Sequence, residues 1–176
     1  MPNNVLTAAA EMLHNVRVLK RAHFIAGARK AALATLIALA IIVINALVGS
    51  GILAGKELSG VLDGGLFERV LPWLKLAAGA CAFLAAALAG VQSTLDFKKQ
   101  EGVHKKVAEM FVAVEADLAQ MIAAHSDGIM SAEQLSNKLE EAGDAYHQAT
   151  VQSGVCLPTD RDFARARKKV VAERGR

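Results

Sequence analysis

Proline is almost missing from this chain: Pro2, Pro72 and Pro158 are the only three in 176 residues, so long helices meet little obstruction. Aromatic residues are also scarce, at six Phe, one Tyr and one Trp. The two cysteines, Cys81 and Cys156, fall in different settings, the first in an apolar run and the second in a polar region. A disulfide between them is not expected, a reducing compartment fits, and neither has a second Cys or a His at metal-ligand spacing. The five histidines, His14, His23, His104, His125 and His147, include no pair at i+3 or i+4. A zinc site is therefore unsupported, and each histidine is expected at a surface or interface. Residues 96–176 hold twelve basic and thirteen acidic side chains. That balance excludes the strongly basic face of a nucleic-acid binder.

Catalytic signatures are missing too. The stretch Gly51-Ile52-Leu53-Ala54-Gly55-Lys56-Glu57 superficially looks like a phosphate loop. It has three residues between its glycines where four are needed, and Glu57 stands where Ser or Thr belongs. No nucleophile elbow and no carboxylate pair in an active-site setting are found. The chain is read as non-enzymatic, with no cofactor and no catalytic or metal-ligating residues.

Charge is absent from two long runs. Residues 31–55, between Lys30 and Lys56, give 25 uncharged positions, and residues 76–95, between Lys75 and Asp96, give 20 more. Roughly 20 helical residues, at about 1.5 Å each, cross a hydrocarbon core of about 30 Å. Core helices of soluble bundles normally keep a polar stripe, which neither run has. The first run begins after thirty residues that read as helix and exceeds the roughly 7–15 residues of a signal-peptide core. The expected fold class is an all-α membrane protein: a two-transmembrane helical hairpin with a cytoplasmic helical domain, homo-oligomeric. Its parts are a cytoplasmic amphipathic helix over 1–30, transmembrane helices over 31–55 and 76–95, an extracytoplasmic connector over 56–75, and the helical domain over 96–176.

Orientation follows the basic residues near the span ends. Five precede the first span (Arg17, Lys20, Arg21, Arg29, Lys30), three lie in the connector (Lys56, Arg69, Lys75), and four follow the second (Lys98, Lys99, Lys105, Lys106). Both termini are thus expected in the cytoplasm. Asp63-Gly64-Gly65 is a turn signal in the connector, and Pro72-Trp73 leads into the second span, where Trp73 suits an interfacial anchor.

On a helical wheel the second span gathers Ala78, Ala82, Ala85, Ala86, Ala89 and Ser93 on one side, with Ala78, Ala82, Ala86 and Gly90 as a ladder, and Leu84, Leu88, Val91 and Leu95 on the opposite side. Small residues let helix backbones approach closely in lipid, so this is a candidate packing face. In the first span Ala34, Ala38, Asn45 and Gly49 cluster, interrupted by Ile41 and Ile52. Asn45 falls near the midplane, where its amide needs a partner. Two readings stay open, an interhelical hydrogen bond of about 1 kcal/mol and a polar ring lining an oligomeric pore. Two spans cannot enclose a channel alone. Neither span holds an ionisable carboxylate, Lys, Arg or His, which argues against proton-coupled transport.

Beyond the spans, residues 96–124 are expected to form one helix. Val107, Met110, Phe111, Val114, Leu118, Met121 and Ile122 give it a wide apolar face. The cytoplasmic faces need cover from each other or from neighbouring subunits, and Val107, Phe111, Val114 and Leu118 are candidates for self-association or for recruiting a partner. Ser126-Asp127-Gly128 ends that helix, and Ser131 with Gln134 forms a capping box for the next. There Leu135, Leu139, Ala142, Tyr146 and Ala149 share one side. Pro158-Thr159-Asp160 marks a last break, with Thr159 a plausible N-cap. The final helix carries Arg165, Arg167, Lys168 and Lys169, a solvated face, a lipid-headgroup contact or a docking patch for an anionic ligand or acidic partner.

This order of parts resembles the SLATT family, two-transmembrane effectors associated with nucleotide-generating and nucleotide-sensing proteins in bacterial conflict systems. The residues that carry the resemblance are Val91-Gln92-Ser93-Thr94-Leu95 at the exit of the second span and Lys98-Lys99 with His104-Lys105-Lys106 in the helix after it. Cys156-Leu157-Pro158 before Asp162-Phe163-Ala164-Arg165-Ala166 completes the set. The alanine richness of the spans departs from the pattern. The resemblance implies an antiviral, abortive-infection effector in the bacterial inner membrane that oligomerises and opens a pore. Its trigger would be a partner or nucleotide-linked signal from a sensor protein encoded nearby. The alternative is a non-conducting scaffold that recruits a cytoplasmic partner. A phage holin is a weaker match, because holins rarely carry so long a structured helical region after their spans.

Overall fold

The computed structural model describes residues 2–58 and 64–174. They form five helices: α1 (Pro2–Leu58), α2 (Gly64–Leu95), α3 (Phe97–Ser126), α4 (Ala132–Ser153) and α5 (Asp160–Arg174). No strand occurs among the described residues. The chain divides into two compact units, an apolar one of Ala31–Phe97 and a bundle of Met1–Lys30 with Lys98–Arg176. The bundle is therefore built from two pieces of chain separated by the whole apolar unit.

In the apolar unit, two helices are long and apolar enough to cross a membrane, with mean hydropathies of 2.7 and 1.9 over their most apolar windows. Only 6% of each window is buried. The core helix of a soluble protein would be covered by its neighbours, whereas these present Leu36, Leu47, Leu76 and Phe83 outward. The less exposed side chains of α1 include Ala34, Ile37, Ala38, Ile41, Ile44 and Val48. Those of α2 include Ala78, Cys81, Ala85, Leu88 and Gln92. Each set advances by threes and fours, one helix face apiece. Three hydroxyls within these helices are satisfied locally. Thr35 Oγ1 donates to the Ala31 carbonyl at 3.0 Å, Ser50 Oγ to Leu47 at 3.1 Å and Thr94 Oγ1 to Gly90 at 2.8 Å. Such back-bonding lets a hydroxyl sit where no water is available.

The expected turn in the connector is only partly visible: Asp63 lies outside the described residues, while Gly64 and Gly65 open α2. Pro72, expected at the entrance to the second span, lies inside α2. One residue, Asp96, separates α2 from α3, with a left-handed φ of 38° that Asp tolerates better than most residues.

The bundle follows its local signals closely. At the end of α3, Gly128 takes φ 73°, the left-handed turn that glycine enters at little steric cost. Ile129 N–H then donates to the Ala124 carbonyl at 2.9 Å and Gly128 N–H to His125 at 3.1 Å, the paired bonds of a Schellman motif. Ser131 caps α4 with both halves of the capping box: Gln134 N–H donates to Ser131 Oγ at 3.2 Å and Ser131 N–H to Gln134 Oε1 at 2.9 Å. Ser131→Ala is expected to destabilise the bundle by about 1 kcal/mol, read as a small drop in its thermal midpoint.

Packing is dominated by one core of Val16 from α1, Val107, Phe111, Val114, Leu118 and Met121 from α3, and Leu135, Ala142 and Ala149 from α4. A second, smaller cluster joins Val18 and Ala22 of α1 to Ala166 and Val170 of α5. So α1 presents one face to α3 and α4 and another to α5. Charge pairs bracket both contacts. Glu115 of α3 bonds Arg17 at 3.0 Å and also Lys20, and Arg21 pairs with Glu173 of α5. Burial would raise the Glu115 pKa, but these two cations outweigh it and hold the carboxyl below its ordinary value.

The apolar face of α3, expected to meet another copy or a partner, is covered from within. Val107, Phe111, Val114 and Leu118 are 0–3% exposed inside the chain's own bundle, so they present no free face to another copy or a recruited partner. The apolar stripe was real, but its cover comes from α1 and α4.

Candidate functional site

Two histidines expected at a surface or interface are instead buried at the heart of the bundle. His23 of α1 is 0% exposed and His104 of α3 is 3% exposed. Both continue apolar registers. His23 stands seven residues after Val16, and His104 stands three before Val107 and seven before Phe111, so each is carried inward with its stripe. Gly27, one turn after His23, permits the close approach of α3: a Cβ there would lie 3.4 Å from His104 Cβ.

The two rings meet through their Nδ1 atoms, 3.2 Å apart. His23 Nε2 lies 3.0 Å from Ser153 Oγ, itself buried at the end of α4. The His23 ring also sits 5.9 Å from that of Phe111, centroid to centroid. Burial, reinforced by the neighbouring His104, lowers the His23 pKa to about 4. His104 is lowered as well, by burial and by Lys30 and Arg29, with Asp162 acting the other way. Both imidazoles are therefore neutral near pH 7. Two lone pairs cannot face each other at this distance, so one Nδ1 carries a proton toward the other or a cation sits between them.

Cys156, in the link between α4 and α5, is partly buried against the core, and burial raises its thiol pKa. Its Sγ and one nitrogen from each of His23 and His104 all lie within 4.8 Å of one another. Separations of 81 and 52 residues put this grouping beyond any spacing motif. The histidine registers on α1 and α3 were the signal available in the sequence.

A second polar group involves the start of α5. Asp162, 1% exposed, accepts from Thr159 Oγ1 at 2.7 Å and from Thr159 N–H at 3.0 Å. Thr159 takes the N-cap position, with its backbone N–H held by the third residue of the helix. Arg29 Nη2 reaches Asp162 Oδ2 at 3.0 Å, and Arg29 Nη1 reaches Thr159 Oγ1 at 3.1 Å. Burial alone would raise the Asp162 pKa, but the Thr159 bonds and the charges of Arg29 and Arg165 bring it below its ordinary value.

In the apolar unit Asn45 is exposed, and its side-chain amide has no hydrogen-bond partner among the described residues. Ala34 is buried, Ala38 and Ala78 are half-buried, and Ala82, Ala86, Gly90 and Ser93 are exposed. A Cβ added at Gly49 or Gly90 would meet open space. Thus Ala34, Ala38, Ala78 and Ala85 belong to the covered faces, joined by Leu88 from the side expected to lie opposite, while Gly49, Ala82, Ala86, Ala89, Gly90 and Ser93 face outward. Trp73 is 71% exposed. Arg165, Arg167, Lys168 and Lys169 are all exposed along α5. No family model, curated protein or solved structure matches this chain.

Proposed function

We propose that this chain is an effector of a bacterial antiviral, abortive-infection system that inserts in the inner membrane, self-assembles and permeabilises it. The trigger is a partner protein or a nucleotide-linked signal, as the resemblance to SLATT effectors implies. Both termini and the bundle lie in the cytoplasm, following the basic residues around the spans. The observation that carries the reading is the outward placement of Asn45 together with the uncovered Ala82, Ala86, Gly90 and Ser93. Hydrocarbon offers an exposed amide no donor or acceptor, and small-residue faces are where membrane helices pack closely. A second copy, or a water-filled lumen between copies, satisfies both.

The scaffold alternative relied on the α3 stripe as its recruiting surface, and that stripe is buried in the bundle. Induction from a tight promoter, with neighbouring operon proteins present, is expected to depolarise cells and reduce survivors, read with a potential-sensitive dye. Asn45→Leu should weaken assembly by a factor of about five per interface, from roughly 1 kcal/mol per interhelical hydrogen bond, and slow depolarisation accordingly. Unchanged potential in the wild type would remove the effector reading. Full activity of Asn45→Leu would remove the polar-ring version of it.

A further inference from the structure

We propose that His23, His104 and Cys156 bind one divalent transition-metal cation of the zinc class, tying α1, α3 and the α4–α5 link together. The inference rests on the bundle alone and stands apart from the effector reading. Two imidazoles and a thiolate are a donor set for borderline-soft cations such as zinc, and a poor one for magnesium or calcium. Zinc–nitrogen bonds of about 2.0–2.1 Å and zinc–sulfur bonds of about 2.3 Å put tetrahedral donors roughly 3.3–3.6 Å apart. The two Nδ1 atoms already stand 3.2 Å apart, and all three donors fall within 4.8 Å.

The surroundings are those of a prepared site. Ser153 Oγ, 3.0 Å from His23 Nε2, accepts that N–H and leaves the Nδ1 lone pair for the metal, the orienting role that outer partners of ligating histidines take. Ser153 is itself 5% exposed, so the bond is shielded from water. Gly27 marks how closely α1 and α3 pack here, since a Cβ on it would already touch His104 Cβ at 3.4 Å. On binding, the cation forms bonds to two neutral imidazoles and to Cys156 Sγ, and the thiol proton leaves to solvent. A fourth position stays open for water, as in sites with three protein ligands.

The test uses the full-length chain in detergent, stripped with a chelator and titrated with cobalt(II) as a visible probe. The expected result is one equivalent bound per chain, with the intense visible bands of tetrahedral cobalt, a thiolate-to-cobalt charge-transfer band in the near ultraviolet, and displacement of both by zinc. Cys156→Ser should remove the charge-transfer band, His104→Gln should weaken binding at least tenfold, and Ser153→Ala should weaken it roughly 10–100-fold. His147→Ala, at an exposed histidine, should leave binding unchanged. Circular dichroism of each variant checks that the helices persist. Absence of stoichiometric tetrahedral cobalt in the wild-type chain would overturn the proposal and leave a hydrogen-bonded neutral histidine pair. So would a charge-transfer band that survives Cys156→Ser.

Discussion

Phe111→Ala is expected to destabilise the bundle by about 3–5 kcal/mol, the range for emptying a buried aromatic site. Phe111 is 0% exposed and packs beside His23 of α1 and Tyr146 of α4, with ring centroids 5.9 and 6.1 Å away. Its removal opens a void where three helices meet. Domains of this size are stable by only about 5–15 kcal/mol, so the loss is a large share of the total. The apolar unit does not contain this residue. Thermal melts of the purified chain should therefore show an early loss of part of the helical signal, with protease sensitivity appearing in α3 and α4. A variant that melts like the wild type would mean that α3 does not use this face for intramolecular packing, and the self-association role would return.

Removing Arg29 is expected to be nearly as damaging, with a pH signature of its own. The Asp162 side chain is 1% exposed and Arg29 36% exposed. Arg29→Met removes a charge from a buried carboxylate and should cost about 2–3 kcal/mol at neutral pH, discounted from the range for a fully buried pair because Arg29 is partly solvated. The sign follows from linkage. The folded-state pKa of Asp162 lies below its ordinary value of 3.8. Its contribution is thus present above that value and lost as pH falls through the lower folded pKa. In the variant the charge of Arg29 is gone while the Thr159 bonds and Arg165 remain, so the carboxyl takes up its proton at higher pH than in the wild type. The deficit of Arg29→Met relative to wild type should be largest at neutral pH and should shrink on acidification. Denaturant melts at a series of pH values measure it; a deficit that grows toward acid would contradict the assigned pairing. Glu115, held below its ordinary value by Lys20 and Arg17 in both proteins, cancels in the comparison.

Much of this architecture was legible because its signals are local. Uncharged runs marked the two apolar helices. Ser131 and Gln134 marked the start of α4, and Leu135, Ala142 and Ala149 marked its inner face. Periodicity says that a face is covered without saying by what, which is why the α3 stripe read equally well as an intermolecular surface. Its cover comes from α1, on the far side of the apolar unit in sequence. The small-residue face of α2 was ambiguous for a different reason. With alanine at 77, 78, 80, 82, 85, 86, 87 and 89, nearly every rotation of the helix presents a ladder of small side chains. The structure covers Ala78, Cys81, Ala85 and Leu88 and leaves Ala82, Ala86 and Gly90 outside. The histidine cluster was hidden by separation, since spacing motifs see only neighbours in sequence.

We propose that α1 and α2, both long and apolar enough to cross a membrane, do so as a hairpin with the bundle on the cytoplasmic side. Single cysteines, Ser59→Cys and Lys169→Cys, placed in a chain carrying Cys81→Ser and Cys156→Ser, test it directly with a membrane-impermeant maleimide. The account predicts that the cysteine at position 59 labels in intact spheroplasts and that the one at position 169 labels only after lysis. Equal labelling of both positions before lysis, or recovery of the chain in the soluble fraction, would contradict it.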